Sequence, residues 1–228
     1  MSRARAVIGV AVPLLAAAVC VRLGVWQLSR LHQRRAANTR IAAAQARPPV
    51  DLPATMPAES LVERRVRAQG VYDFAHERFW RPRSFEEQPG VDLVTPLVLA
   101  GGSAVLVDRG WVPSPDAYHV SQELYREPDT AVVIGLGLRA PRGRGDVDPA
   151  RLRDSLPYAL LPIVVQALPD SAPAERRAGP MRWPMPELSE GPHLSYTIQW
   201  FTFATIILIG SAALHRKRRQ ENRAATTA

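Results

Sequence analysis

His193 stands at the mouth of an apolar run, Leu194–Leu214, that carries no charged side chain. Steps of three and four place His193, Tyr196 and Trp200 on one face of a helix. Gly191 can act as N-cap and Pro192 as the first helical residue, which puts His193 in the first turn. The positive end of the helix dipole disfavours protonation there. A neutral imidazole can coordinate a metal or a haem iron, and an apolar ring could lie against the aromatic face beside it. The bland reading of the same residues is a polar-aromatic belt at a membrane surface. The pattern alone leaves both open.

Other constellations carry less. Ser103, His76 and Asp92 could be imagined as a nucleophilic triad, but no Gly-x-Ser-x-Gly elbow or local signature supports it. His76-Glu77 lacks the second histidine of a zinc helix. No phosphate-binding glycine loop is present, and Gly135-x-Gly137 lies in a strand-like run where close packing explains it better. Cys20 is the one cysteine, so neither a disulfide within the chain nor a cysteine metal cluster can form. Asp108-Arg109-Gly110 reads equally as a turn after a strand and as an arginine held for a partner.

Two apolar segments must position these residues. Leu194–Leu214 is roughly 30 Å long as a helix, enough to cross a bilayer core. It is followed by a basic stop, His215-Arg216-Lys217-Arg218-Arg219. Ala6–Val21, extended past Arg22 to Leu28, reads as an uncleaved transmembrane helix and not a signal peptide. The run is long, and its Ala-x-Ala sites lie inside it. Arg22 can snorkel to the interface. The short lead of residues 1–5 leaves no room for a transit peptide, which points to a bacterial plasma membrane. The basic tail, together with Arg3 and Arg5, places both termini in the cytoplasm, although Arg30, Arg34, Arg35 and Arg40 follow the first helix on the other side. The expected organisation is therefore a cytoplasmic N-terminus (1–5), a first span (6–28), an extracytoplasmic domain (29–192), a second span (193–214) and a cytoplasmic tail (215–228). Trp26, Gln27 and Arg30 then share a membrane level with His193, Tyr196 and Trp200. The two clusters could form one pocket if the helices pack together.

The middle of the chain is polar and proline-rich, which the mean hydropathy of -0.11 conceals. Leu31–Ala46 could prolong the first helix, and Arg47–Pro57 reads as a linker. Strand signals recur at Arg65–Val71, Val91–Leu99, Ala104–Val107, Ala131–Arg139 and Ala159–Ala167. Gly101-Gly102 makes a hairpin of the second and third. Pro96 suggests an edge or a bulge, and Asp108–Pro113 closes its strand. Ser114–Pro128 is polar and has room for a short helix, while Arg142–Asp148 and Pro169–Pro186 are loop-like. About five short strands give a mostly-β (α+β) domain between two transmembrane helices. The net charge of +8 comes almost wholly from arginine, since Lys217 is the one lysine. Much of it flanks the apolar runs without interleaved aromatics, which argues against nucleic acid.

Four segments resemble the Surfeit locus protein one family, membrane factors for cytochrome c oxidase assembly. They are Leu23-Gly24-Val25-Trp26-Gln27 with Arg30, the strand Val91–Pro96, the segment Leu106–Pro113, and His193-Leu194-x-Tyr196-x-x-x-Trp200-Phe201. They occur in family order. The sequence departs from the pattern at Asp108, where the family usually has Asn, and at Gly191-Pro192, where it usually has two Asn. The resemblance implies a non-enzymatic helper that assists haem A delivery to the catalytic subunit. His193 would be the candidate iron ligand, with Tyr196, Trp200, Trp26, Gln27 and Arg30 around the cofactor. Arg109, Gly110 and Trp111 would contact partners. Implied partners are oxidase subunits, enzymes that make haem A, and membrane lipid. A scaffold that touches only proteins and a membrane-anchored enzyme are the rivals.

Overall fold

The computed structural model describes residues 3–141, 143, 146–169 and 179–227. The chain forms two compact units, residues 1–40 with 188–228, and residues 41–187.

The first unit is a helix pair. Helix α1 runs Arg3–Gln45, and the last helix of the chain, here α3, runs His193–Thr227. Leu31–Gln45 does prolong the first helix, and α3 continues well past the apolar run into the basic tail. Both are long and apolar enough to cross a membrane, and in their most apolar windows only 17% and 11% of residues are buried. Ile8, Leu15, Ile198, Ile206 and Ile209 all stand exposed. A core helix of a soluble protein hides such residues, so the exposure is compatible with anchoring in lipid. What is buried forms a narrow seam: Ala17, Cys20 and Leu31 on α1, Thr197 and Ala204 on α3. Small residues let two helix backbones approach without a hydrophobic driving force.

The second unit is a closed sheet. Its strands are β1 (Val50–Leu52), β2 (Arg65–Tyr72), β3 (Arg78–Phe85), β4 (Gln88–Leu99), β5 (Ala104–Pro113), β6 (Thr130–Arg139) and β7 (Leu160–Ala167). They follow the order β1-β2-β6-β7-β5-β4-β3, and a further pairing of β2 with β4 closes β2, β6, β7, β5 and β4 into a barrel. The barrel is filled by alternate residues from all five strands, among them Val66, Ala68, Leu97, Val105, Val107, Val133, Ile163 and Val165. The outer face is covered too. Val94, Leu106 and Val164 pack under Val147 and Leu152, the latter on the single-turn helix α2 (Pro149–Leu152).

Five strands were expected, and seven are present among the described residues. The omitted β3 is an edge strand, pairing only with β4, and its arginines and Pro82 are what an edge carries to discourage further pairing. The omitted β1 is three residues inside the expected linker. Asp108–Pro113 does not close a strand but lies within β5. Pro96 lies inside the barrel wall, between the last β3 pair (Arg78↔Val94) and the first β2 pair (Tyr72↔Leu97). Its carbonyl accepts from Asp73 N at 2.9 Å. The missing N–H therefore falls in the gap where β4 changes partners. Close packing does explain Gly135 and Gly137: a Cβ would collide with Val165 and Gln166 at the first and with the Leu61 carbonyl at the second. Of the two expected loops, residues 142, 144–145 and 170–178 lie outside the described residues.

Candidate functional site

The helix pair aligns antiparallel, so residues far apart in sequence share a level. Gly24 faces the Phe201 ring, where a Cβ would lie 3.0 Å from it. One turn on, His193 Nδ1 lies 2.8 Å from Gln27 Oε1. Beyond that, Arg35 pairs with both oxygens of Glu190 at 2.9 Å. Arg34 Nε donates to Ser189 O, and Asn38 Nδ2 donates to the carbonyls of Leu188 and Ser189. The segment Leu188–Glu190 is thereby tied along α1 just before the chain enters α3.

The entry itself is shifted by one residue from expectation. Gly191 takes φ +69°, and Tyr196 N donates to Pro192 O at 3.1 Å, so Pro192 caps the helix and His193 is its first residue. His193 remains in the first turn. Its Nδ1 faces a carbonyl oxygen, which only accepts, so Nδ1 is the donor in this contact and Nε2 lies outside it. A second partner that fixes the tautomer and ring orientation is what a metal-ligating histidine ordinarily has. The donor set thus fits a haem iron through Nε2. Along the same two helices, Tyr196 is 45% exposed and Trp26 52% exposed, while Trp200 is half-buried with its ring edge-on to Phe203 at 5.9 Å. Of the six expected cofactor residues, His193 and Gln27 touch directly. Trp26 and Tyr196 face outward, and Arg30 donates to its neighbour Gln33 at 3.0 Å.

The other expected cluster proves internal. In β5 the step from Gly110 to Asp108 matches a single step, Leu93 to Val94, in β4, so Arg109 is the extra residue of a bulge. Gly110 takes φ +116°, and a Cβ there would strike the Met181 carbonyl. The bulge turns the Arg109 guanidinium into the fold, where it is fully buried. Nε donates to Thr95 Oγ1 at 2.8 Å, Nη1 to Tyr125 O at 2.7 Å, and Nη2 to Glu77 Oε2 at 2.5 Å. Glu127 lies 3.4 Å from Nη1 and accepts from Arg182 at 2.5 Å, while Arg182 also donates to the Arg109 carbonyl. Phe74 stacks beside Arg109 at 5.0 Å. Two guanidinia against two carboxylates make a neutral, buried, hydrogen-bonded set, the condition under which buried charges are tolerated. Arg109, Gly110 and Trp111 were expected to meet partners; all three are buried, and every nitrogen of Arg109 has an internal acceptor. In this structure they pack inside the fold. The partners Glu77, Glu127 and Arg182 were missed from sequence. Glu77 had been weighed only as half of a failed zinc motif.

The imagined triad disperses. His76 Nδ1 meets Asp73 Oδ2 at 2.7 Å, to which Tyr158 also donates. Asp92 is held by Arg83 and Trp183. No group of three or more metal-binding side chains occurs among the described residues.

Comparison with known proteins gives one consistent answer. The sequence profile described as the SURF1 family matches residues 14–205. An uncharacterized SURF1-like protein of Mycobacterium tuberculosis is 32% identical over 220 residues, covering 87% of this chain and 80% of the relative. Its counterpart in Mycobacterium bovis matches equally. A SURF1-like protein of Monosiga brevicollis is 25% identical over 224 residues, covering 86% of this chain and 83% of its own.

Proposed function

This chain belongs to the SURF1 family, and on that footing we propose that it is a membrane-anchored assembly factor for haem-copper cytochrome c oxidase that handles haem A as cargo. The observation that carries the reading is the Gln27–His193 contact at 2.8 Å. It holds the ring in one orientation and directs the proton to Nδ1, which leaves Nε2 as a ligand for iron. Haem A would bring an iron that takes a nitrogen ligand and a large apolar ring. His193 would bind the iron, and Tyr196, Trp200 and Trp26 would offer the ring an aromatic surface at the membrane level. Arg30, one turn along α1 from Gln27, would meet the carboxylates at the ring edge. No bond of the cargo is made or broken by these residues, so the role is one of holding and presenting, not catalysis.

The same reading has residues 6–28 and 193–214 crossing a bacterial plasma membrane, with both termini in the cytoplasm. The barrel would lie outside, available to oxidase subunits and to enzymes that make haem A. The dense basic tail after Leu214 supports that orientation. Complementation tests the proposal. In a bacterial host lacking its own family member, the wild-type chain is expected to restore haem A-containing oxidase, and His193→Ala to restore little of it. Equal restoration by both would leave His193 without the proposed role. Reporter fusions placing the C-terminus outside the cell would overturn the topology.

A further inference from the structure

Away from the helix pair, the barrel buries two carboxyl groups side by side, and among the described residues around them one cation, Arg83, is not committed to a third acid. Asp92 on β4 is 0% exposed and Asp108 on β5 is 2% exposed. They sit diagonally across the β4–β5 ladder, where Asp92 is opposite Trp111 and Asp108 opposite Val94. Asp92 Oδ2 pairs with Arg83 of β3 at 2.6 Å, and its Oδ1 accepts from Trp183 Nε1 at 2.9 Å. Asp108 Oδ1 accepts from Gly110 N at 3.0 Å. The groups facing Asp108 from the surrounding elements are Asp92, Arg83, Gln166 on β7, and Arg182 and Trp183 from the stretch after residue 179. Arg182 is committed to Glu127. Among the described residues, Arg83 is thus the one cation left to serve both acids.

The stretch that carries Trp183 is a strap with no helix or strand of its own. It is held by a bridge between Met181 and Trp111, by Arg182 on Glu127, by Gln166 Nε2 on the carbonyls of Trp183 and Pro184, and by Trp183 on Asp92. It is also the covalent lead into Leu188 and the second helix.

We propose that Asp92 and Asp108 form a proton-operated latch, in which one shared proton lets Asp108 donate to Asp92 and keeps the Trp183 strap seated on the sheet. The proton occupies the place that an asparagine amide would fill at position 108. Removing it sets two carboxylates against one guanidinium among the described residues, and their repulsion pushes Asp92 away from the position in which its Oδ1 holds the indole. Burial, and then the charge of Asp92, push the Asp108 carboxyl up to about 8. In the unfolded chain it would titrate near the ordinary aspartate value. The folded state therefore binds the extra proton between those limits. The stabilisation is full below the ordinary carboxylate range, declines as pH rises, and is gone above about 8.

The test uses the full chain in detergent and does not depend on any cofactor. Hydrogen exchange of residues 181–187, corrected for the intrinsic rate at each pH, is expected in wild type to lose about tenfold protection per pH unit between the ordinary carboxylate range and about 8, and to level off above that. In Asp108→Asn the protection should persist and become flat with pH, because an amide donates without titrating. Infrared spectra of wild type near neutral pH should show the carbonyl stretch of a protonated acid, absent from Asp108→Asn. A wild-type strap whose protection does not change with pH, or a variant with the wild-type pH profile, would overturn the latch. So would the absence of the acid stretch.

Discussion

Gln27 and His193 are separated by 166 positions in the chain, yet their side chains meet at 2.8 Å across the helix seam. Each lies at the end of its own apolar run, and each belongs to a short polar-aromatic motif that reads as interfacial decoration when taken alone. Together they give the imidazole an acceptor at Nδ1 and one ring orientation, which neither motif does separately.

That pairing predicts a graded effect at position 27. Gln27→Leu removes the acceptor for Nδ1–H and should weaken haem A retention by about 10- to 100-fold, as loss of the second partner does at other metal-bound histidines. Gln27→Glu keeps an acceptor and should retain more cargo than Gln27→Leu. Titration of the purified variants with haem A, followed by absorbance, checks both.

Gly24 makes a packing prediction. A Cβ at this position would lie 3.0 Å from the Phe201 ring. Gly24→Leu should force the helices apart and loosen the Gln27–His193 contact one turn away. Combining it with Phe201→Ala should recover part of the loss, since the ring is the obstacle. Cargo retention in the single and double variants measures the coupling.

Arg109 predicts a stability effect instead of a binding one. Arg109→Met leaves Glu77 and Glu127 buried with a single guanidinium, and should destabilise the barrel by about 3–5 kcal/mol. Arg109→Lys should not rescue it, because an ammonium cannot span Thr95, Tyr125 and Glu77 in the planar arrangement that the guanidinium uses. Thermal unfolding of the detergent-solubilised chain reads the difference.

Gly110 and Gly102 offer a matched contrast. Both have positive φ, but a Cβ at Gly102 meets open space, whereas one at Gly110 strikes the Met181 carbonyl. Gly102→Ala should cost about 1 kcal/mol through backbone conformation alone. Gly110→Ala should cost clearly more and should also loosen the strap at Met181, seen as faster hydrogen exchange at Trp111 and Met181.

What could be read from the sequence follows from how locally each feature is encoded. The strands Arg65–Tyr72, Thr130–Arg139 and Leu160–Ala167 follow the expected segments to within a residue at each end, and the two apolar runs lie inside longer helices. Their hydrophobic patterns are continuous, and turn residues bound them. The strand β3 was hidden because an arginine-rich edge with a proline looks like a loop until a neighbour supplies its ladder. The fate of Arg109 was hidden for another reason. Its partners lie 14 to 73 positions away, and only the bulge decides that the side chain points inward. Asp108 looked like a minor departure from a family pattern. Its meaning required knowing that Asp92 lies beside it on the next strand.

The most direct measurement is the visible absorption spectrum of the full chain purified in detergent from cells that make haem A, taken side by side with His193→Ala. The account predicts a Soret band in the wild-type preparation that is strongly reduced in the variant at equal protein recovery. A colourless wild-type preparation that still carries oxidase subunits, or a band of equal strength in both, would contradict it.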